Sequence, residues 1–209
     1  MRRTTFDKLL GWGGSAIGIL LLVVASLLLW ASAYIHNNVY NQLSAQKITF
    51  PSAAAFQHPT ANGEITSSMI PSVSQYAGQQ LVTGQQAEAY ADHFIAVHLQ
   101  EIAGGKTYSQ LSTEANANPS NTTLANEVNT VFKGTTLRSM LLTAYSWWKV
   151  SQITYIISLV AYGLGTVVFL GGLVGFGRLF RDRKVAVAAQ RGPAAEQINE
   201  AGHEAGTAA

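Results

Sequence analysis

Two long apolar stretches constrain this chain more than any other feature. One runs from Leu9 to Ile35 and the other from Val150 to Gly177, and neither contains a charged residue. A helix needs about 20 apolar residues to cross the hydrocarbon core of a bilayer. Both stretches are long enough, and only 11% of the 209 residues are charged, against about a quarter in soluble domains. The sequence therefore predicts an all-α membrane protein with two spans.

Basic residues beside the spans predict their orientation. Three of them, Arg2, Arg3 and Lys8, precede the first span, and a cluster at 178–184 follows the second. Because lysine and arginine near span ends mark the cytoplasmic side, both termini are expected inside. A cleaved signal peptide is the alternative for the first span, since Ala31-Ser32-Ala33 fits a cleavage pattern.

This orientation divides the chain into five segments that together form a two-helix transmembrane hairpin with a small extracytoplasmic cap. The cap is expected to be mostly helical, and the tail, rich in Ala, Gly and Glu, is expected to be disordered or weakly helical. The segments are a cytoplasmic N-terminus at 1–10, a first span at 11–35, the cap at 36–148, a second span at 149–178 and a cytoplasmic tail at 179–209.

Tryptophans and glycines mark the spans. Trp12 and Trp30 bracket the first span, and Trp147 and Trp148 stand at the outer end of the second, where indoles favour the membrane interface. Each span also carries a GxxxG pattern on its cytoplasmic side. These small residues are predicted to join the two spans, or to dock a partner helix, because they let two backbones approach closely. The glycines are Gly14, Gly18, Gly171 and Gly175.

The cap sequence predicts several short helices. The first helix is expected to extend to about Gln46, and the polar segment 47–83 to form an extended wrap with one short strand. A helix at 84–103 should stop at Gly104-Gly105. The next helices should start at the capping box of Thr107 and Gln110 and at Asn118-Pro119, with an interruption at Gly134.

The predicted helix at 84–103 holds the candidate chemical residues. His93 and His98 are five residues apart, so they point about 140° apart on a regular helix and should not bind one metal. His98 and Glu101 share a face and are expected to form a buried structural pair, or alternatively a pH-responsive one. Arg138 is a predicted ion-pair partner of Glu101. A site assembled from His36, His98 and an acid stays open, and His58 lies in a segment that the sequence does not place.

Two blocks carry a resemblance to a known family. ADHFIAVHLQEIAGGKTYSQLS (91–112) and FKGTTLRSMLLTAYSWWKVSQ (132–152) resemble the best-marked blocks of a group of small actinobacterial membrane proteins of unknown function. The resemblance implies two spans over nearly the whole chain, and a place in the bacterial cytoplasmic membrane. Some members of the group carry an aromatic ring-opening dioxygenase name, which implies non-haem iron held by two histidines and a carboxylate. The diverging histidines of this chain do not supply that triad.

Composition narrows the function classes further. The chain has no cysteine, which excludes disulfides and thiolate chemistry, and it shows no basic stripe suited to nucleic acid. The sequence favours a non-catalytic accessory or structural subunit of a cell-envelope membrane complex, without a cofactor. Its expected partners are membrane lipid and other membrane subunits or copies of itself. An extracytoplasmic sensor or ligand-binding protein is the alternative, followed by a metal-dependent enzyme.

Overall fold

The computed structural model of the chain describes residues 3–60 and 63–207, and for residues 3–10, 179, 182–184 and 186–207 it describes the backbone alone. The described residues form helices and turns without a strand, which confirms the all-α prediction. Two 3₁₀ turns (Ala55–Gln57 and Ser74–Tyr76) and one π-helical turn (Ala91–Ile95) accompany the α-helices. The α-helices are α1 (Arg3–Ala45), α2 (Ile70–Val73), α3 (Gly84–Tyr90), α4 (Ala96–Ile102), α5 (Tyr108–Ala117) and α6 (Thr122–Thr207).

The two longest helices are apolar enough to cross a membrane. Their qualifying stretches are Gly11–Ala45 in α1 and Thr122–Arg178 in α6, and the most apolar window of each has a mean hydropathy of 2.5 and 2.1. Only 17% of each window is buried, whereas the core helix of a soluble protein is mostly buried. Length, composition and exposure therefore all support a membrane location.

The chain divides into two compact units. The first unit comprises residues 1–29 and 156–209, and the second comprises residues 30–155. The division falls within α1 and within α6, about six residues from the span boundaries expected from the sequence.

In the first unit, α1 and α6 pack antiparallel along a repeat of seven residues. Every seventh residue of α1 is small and buried, as is every seventh residue of α6. Aromatic side chains of α6, also seven apart, lie opposite the small residues of α1: Gly11 faces Phe176 and Gly18 faces Phe169. A seven-residue repeat is the signature of a left-handed helix pair with interlocking side chains. The small residues are Gly11, Gly18 and Ala25 on α1 and Ser158, Gly165 and Gly172 on α6, and the same spacing continues in the second unit with Ser32 and Ser151.

The second unit has its own hydrophobic core. It includes residues from the C-terminal part of α1, from the helices α2 to α4 and from one face of α6. A smaller cluster lies between α4, α5 and α6 and consists of Ala103, Leu111, Leu124 and Val131. The segment 46–83 supplies half of the main core, although its sequence is polar and irregular. The main core consists of Val39, Leu43, Phe50, Phe56, Ile65, Met69, Val73, Leu81, Ala87, Ala91, Ile95 and Leu141.

Backbone hydrogen bonds hold the two ends of the segment 46–83 together. The N–H of Phe50 donates to the carbonyl of Gln79 over 2.9 Å, and the N–H of Leu81 donates to the carbonyl of Ile48 over 2.8 Å. An isolated bridge between Thr49 and Gln80 completes the contact. The prediction of an extended wrap with one short strand is therefore wrong: within the described residues the segment contains α2, two 3₁₀ turns and this single bridge.

The helix ends of the second unit follow their capping residues. Thr107 and Gln110 form the predicted capping box, and Gly104 and Gly105 adopt left-handed φ values of 57° and 78°, which end α4. The predicted start at Asn118 is wrong. Asn118 ends α5, whereas the side chain of Asn121 accepts a hydrogen bond from the N–H of Leu124 over 3.1 Å and so caps α6.

Two predicted irregularities of α6 are absent. The helix passes through Gly134 without interruption, and Leu99 packs against the space that a side chain there would need. The tail, expected to be disordered or weakly helical, continues as helix to Thr207. Alanine and glutamate have high helix propensities, which is the physical reason that this composition can extend a helix already formed.

Candidate binding surfaces

A π-helical turn changes which residues of the α3–α4 helix face the core. A π turn inserts one extra residue, so the face that follows it is rotated by about 100° relative to a regular helix. The buried face of the helix therefore runs through Ala87, Ala91, Ile95 and Ala103 at steps of four or eight residues. Ile102, which a regular helix would bury, is 40% exposed.

The rotated face explains why the predicted ion pair of Glu101 and Arg138 is wrong. Arg138 donates instead to Asp92, with 2.6 Å between its Nη2 and the Oδ1 of Asp92. Asp92 lies in the π turn and is half-buried, whereas Glu101 lies beyond the turn and is exposed.

The predicted buried pair of His98 and Glu101 is also absent. His98 is half-buried, and its Nδ1 lies 2.9 Å from the carbonyl oxygen of Phe94. Because a carbonyl only accepts, Nδ1 carries the proton in this contact. The imidazole ring also packs edge-on against the ring of Phe94, with 4.6 Å between centroids. His98 thus ends an aromatic row and has a structural position.

That aromatic row continues into the core through Tyr90 and Phe50. The ring of Tyr90 lies 4.7 Å from that of Phe94 and 5.3 Å from that of Phe50. Burial raises the pKa of Tyr90 above its ordinary value of 10.0, and the nearby carboxylate of Glu64 raises this pKa further. The hydroxyl of Tyr90 therefore stays protonated throughout the physiological range.

The other histidines do not join His98. His36, His58 and His93 are exposed. Within the described part of the chain, no three His, Asp or Glu side chains lie close enough together to hold a metal ion. His203, in the tail, lies outside the residues whose side chains are described.

A cavity of about 440 Å³ with a mixed polar and apolar lining lies between α4, the α4–α5 connection and α6. Two of its lining residues, Lys106 and Arg138, are cationic. Lys106 is paired with Glu114, and Arg138 is paired with Asp92, although the Nε of Arg138 is buried without a hydrogen-bond partner among the described residues. Because carboxylates already neutralise both cations, this cavity is a weak anion site.

An apolar groove of about 600 Å³ lies between residues 34–46 of α1 and residues 137–147 of α6. All of its lining residues belong to the second unit. We call it the α1–α6 groove. Its floor is made by Val39, Leu43 and Leu141, which are at most 7% exposed. The complete lining is Tyr34, Ile35, Asn38, Val39, Gln42, Leu43 and Gln46 from α1, and Leu137, Met140, Leu141, Thr143, Ala144 and Trp147 from α6.

The rims of the groove are unusual for a soluble surface. Tyr34, Met140 and Trp147 are 59%, 64% and 55% exposed, although each is large and mostly apolar. None of the thirteen lining residues is ionisable at neutral pH. The polar groups are amides and hydroxyls, and Gln42 donates to the Oδ1 of Asn38 over 2.6 Å. Ligand pockets are commonly apolar with a few polar groups, as this groove is.

The predicted packing glycines separate into two groups. Gly14 and Gly18 lie in the contact between α1 and α6, and a Cβ added to Gly18 would lie 2.6 Å from the backbone nitrogen of Phe169. Gly175 is buried. Gly171 is not in the contact, because the next residue, Gly172, fills that place against Ser15. The two glycines of the α6 pattern therefore differ: Gly175 lies in the contact, where its carbonyl carbon would be 3.6 Å from a Cβ on Gly11, and Gly171 does not.

Gly171 belongs instead to a set of outward-facing glycines. A Cβ added at Gly13, Gly163, Gly171 or Gly177 would meet no atom within 4 Å. Glycine in a helix is less stable than alanine by about 1 kcal/mol, and here no contact with a described residue compensates for that cost. These glycines leave the outer surface of the two helices open to close approach by another helix.

The predicted interface tryptophans take different positions. Trp12 is 72% exposed and packs edge-on against Phe176, and Trp30 stacks on Tyr34. Trp147 forms part of the α1–α6 groove. Trp148 points into the second unit, where its side chain covers Gly84 at the start of α3. Whether these residues lie at a membrane interface stays a prediction.

The groove was not found from the sequence. One signal pointed toward it: large apolar residues recur on α1 and α6 beyond the expected spans, where a helix in water should be polar on its exposed side.

Comparison with known proteins adds no family, since no family model matches the chain and no curated protein or solved structure is significantly similar to it.

Proposed function

We propose that this chain is a non-catalytic accessory protein of a bacterial cell-envelope membrane complex. In this proposal, α1 and α6 form a transmembrane hairpin in the cytoplasmic membrane, with both termini in the cytoplasm. The second unit then forms an extracytoplasmic cap. The basic residues beside both spans support this orientation.

The observation that carries the proposal is the set of outward-facing glycines on the two apolar helices. The contact between α1 and α6 uses Gly11, Gly14, Gly18, Gly165 and Gly172. The glycines that this contact does not use, such as Gly163 and Gly171, face outward. In lipid, small residues at a helix surface favour association because they allow close van der Waals packing between backbones. A partner's membrane helix is what such a surface fits.

Affinity purification of the tagged full-length protein in a mild detergent, followed by mass spectrometry, tests the proposal. We expect stoichiometric membrane partners, and we expect the double variant Gly163→Leu and Gly171→Leu to lose them. The matched control is Val167→Leu, because Val167 is 70% exposed on the same helix without being a glycine.

The Leu variants should leave the fold intact, because a Cβ added at either glycine would meet no atom of another described residue within 4 Å. Equal helicity by circular dichroism for all forms would confirm this. A monomer without stoichiometric partners would contradict the proposal, as would equal recovery of partners by the double variant and the control.

A second candidate function is a ligand-binding membrane protein. The uncharged lining and the volume of the α1–α6 groove favour it. The two candidates use different surfaces, so both can hold for one protein.

A further inference from the structure

The α1–α6 groove has the size and chemistry of a site for a single hydrocarbon chain. Its α1 wall runs from Tyr34 to Gln46, which corresponds to about 18 Å at 1.5 Å per residue. One leaflet of a bilayer core is about 15 Å thick, half of about 30 Å, so the groove is as long as one extended acyl chain. A chain lying on Val39, Leu43 and Leu141 would be removed from water along its length.

The groove is less well matched to a protein helix. Because no lining residue is ionisable at neutral pH, the groove lacks the charges that usually fix the register and direction of a docked helix.

Lysines lie near both ends of the groove, in different surroundings. Lys149, two residues beyond Trp147, lies over the rings of Tyr145 and Trp148, 5.4 Å and 5.5 Å from their centroids. Two further lysines extend the other end. Lys47 directly follows Gln46, and Lys133 precedes Leu137 by one helical turn on α6. Both lysines are exposed, and neither forms an ion pair with another described residue. Lys47 also has a left-handed φ of 53°, an uncommon conformation for a non-glycine residue, at the turn that ends α1. The opposite end carries Tyr34 and Trp147.

We infer that the α1–α6 groove holds one acyl chain of an anionic membrane phospholipid, with the phosphate at Lys47 and Lys133. The chain lies along the groove toward Tyr34 and Trp147, the end nearer along each helix to the predicted spans. The inference uses the proposed topology, in which the second unit stands outside the membrane. It does not depend on the outward-facing glycines or on any protein partner.

Photolabelling of the reconstituted full-length protein tests the inference. The vesicles contain phosphatidylcholine and a minor fraction of phosphatidylglycerol whose acyl chain carries a terminal diazirine. After irradiation, mass spectrometry of peptides should find the label within 34–46 and 137–147, in addition to the labels expected on the apolar stretch at 156–174. Labels on the groove no more frequent than on the exposed residues at 122–130 would overturn the inference.

Ala144→Phe provides the groove-filling variant, because Ala144 is half-buried in the lining. We expect labelling of the groove to fall about tenfold, the effect of excluding about two methylene groups, while labelling of 156–174 stays unchanged. Ser146→Phe is the matched control, since Ser146 is an exposed residue of the same helix outside the groove. Thr143→Phe, which also fills the groove, replaces Ala144→Phe if that variant does not fold.

A separate labelling experiment tests whether Lys47 and Lys133 bind the lipid phosphate. Lys47→Gln combined with Lys133→Gln should lower labelling by the phosphatidylglycerol probe and leave labelling by a phosphatidylcholine probe unchanged. An equal effect on both probes would overturn the role of the lysines. A photoreactive amino acid at position 140 extends the test to cell membranes. If it captures a protein or a second copy of this chain and no lipid, the inference is overturned, whereas the proposed accessory function is not.

Discussion

At the residue scale, single side chains of the second unit are positioned by their local backbone. Asp92 faces Arg138 because it lies in the π turn, and the same turn moves Glu101 to the exposed side of its helix. A regular helix would place Glu101 on the buried face toward Arg138, and Asp92 on the exposed side. The pairing of Arg138 therefore reports directly on the presence of the π turn.

A double-mutant cycle on this pair is the first prediction. Asp92→Asn and Arg138→Gln should each lower the stability of the second unit, and their coupling energy should be only about 0.2–1 kcal/mol. The value is small because the side chains of Arg138 and Asp92 are 39% and 36% exposed, so that water screens their attraction. Chemical unfolding in detergent measures it.

The control for the cycle is Glu101→Gln. It should leave stability unchanged and show no coupling to Arg138→Gln. A coupling of Arg138 to Glu101 rather than to Asp92 would mean that the helix is regular through 91–95.

At the element scale, the contact between α1 and α6 depends on small residues seven apart. Opposite the small residues of α1 stand Phe169 and Phe176 of α6, and the hydroxyls of Ser26 and Tyr162 lie 2.7 Å apart. In the second unit, Ser32 donates to the carbonyl of Ser151 over 2.8 Å. Glycine and serine at these positions let the backbones approach, and the hydroxyls satisfy one another or the backbone where water is absent.

Adjacent glycines of α6 give a matched test of this contact. Gly172→Ala should destabilise the protein by about 1–3 kcal/mol, because the new methyl group would overpack the contact. The clash is with the backbone nitrogen of Ser15, at 2.6 Å, which cannot rotate away. Gly171→Ala should be neutral or stabilising by up to about 1 kcal/mol, because alanine favours the helix and the site is open.

Thermal unfolding of both variants in the same detergent measures the difference. On α1, Gly18→Ala and Gly13→Ala form a second pair with the same expected order. Equal stabilities within each pair would show that the helices do not meet in this register.

At the scale of the whole molecule, the proposed topology separates the two units across the membrane surface. The chain has no cysteine, so any introduced cysteine is the only thiol present. This property makes the orientation directly measurable in cells.

Single cysteines should be labelled according to the side of the membrane on which they lie. With a membrane-impermeant maleimide, Ser120→Cys should react in intact cells, or in cells whose outer barrier has been permeabilised. Thr4→Cys and Ala201→Cys should react only after the cytoplasmic membrane is disrupted. Labelling of Thr4→Cys without disruption would reverse the proposed orientation, and loss of residues 1–33 from the purified chain would support signal-peptide cleavage.

Much of the architecture could be read from the chain itself. The two apolar stretches, the capping box at Thr107 and the left-handed glycines at 104 and 105 depend on local composition and backbone preference, which a sequence carries directly. The seven-residue spacing of small residues, as in Gly11 and Gly18, was also present in the sequence. A search for GxxxG misses it because that pattern has a period of four.

Three features were decided by the tertiary structure alone: the burial of the segment 46–83, the π turn and the α1–α6 groove. The polar segment 46–83 contributes Phe50, Met69 and other residues to the core without any periodicity, because its burial is set by long-range contacts and not by a repeating local structure. The π turn changes which side chains follow it on the core face, so that Asp92 and not Glu101 meets Arg138. The α1–α6 groove is lined by two helices distant in sequence, and no local pattern encodes how they approach each other.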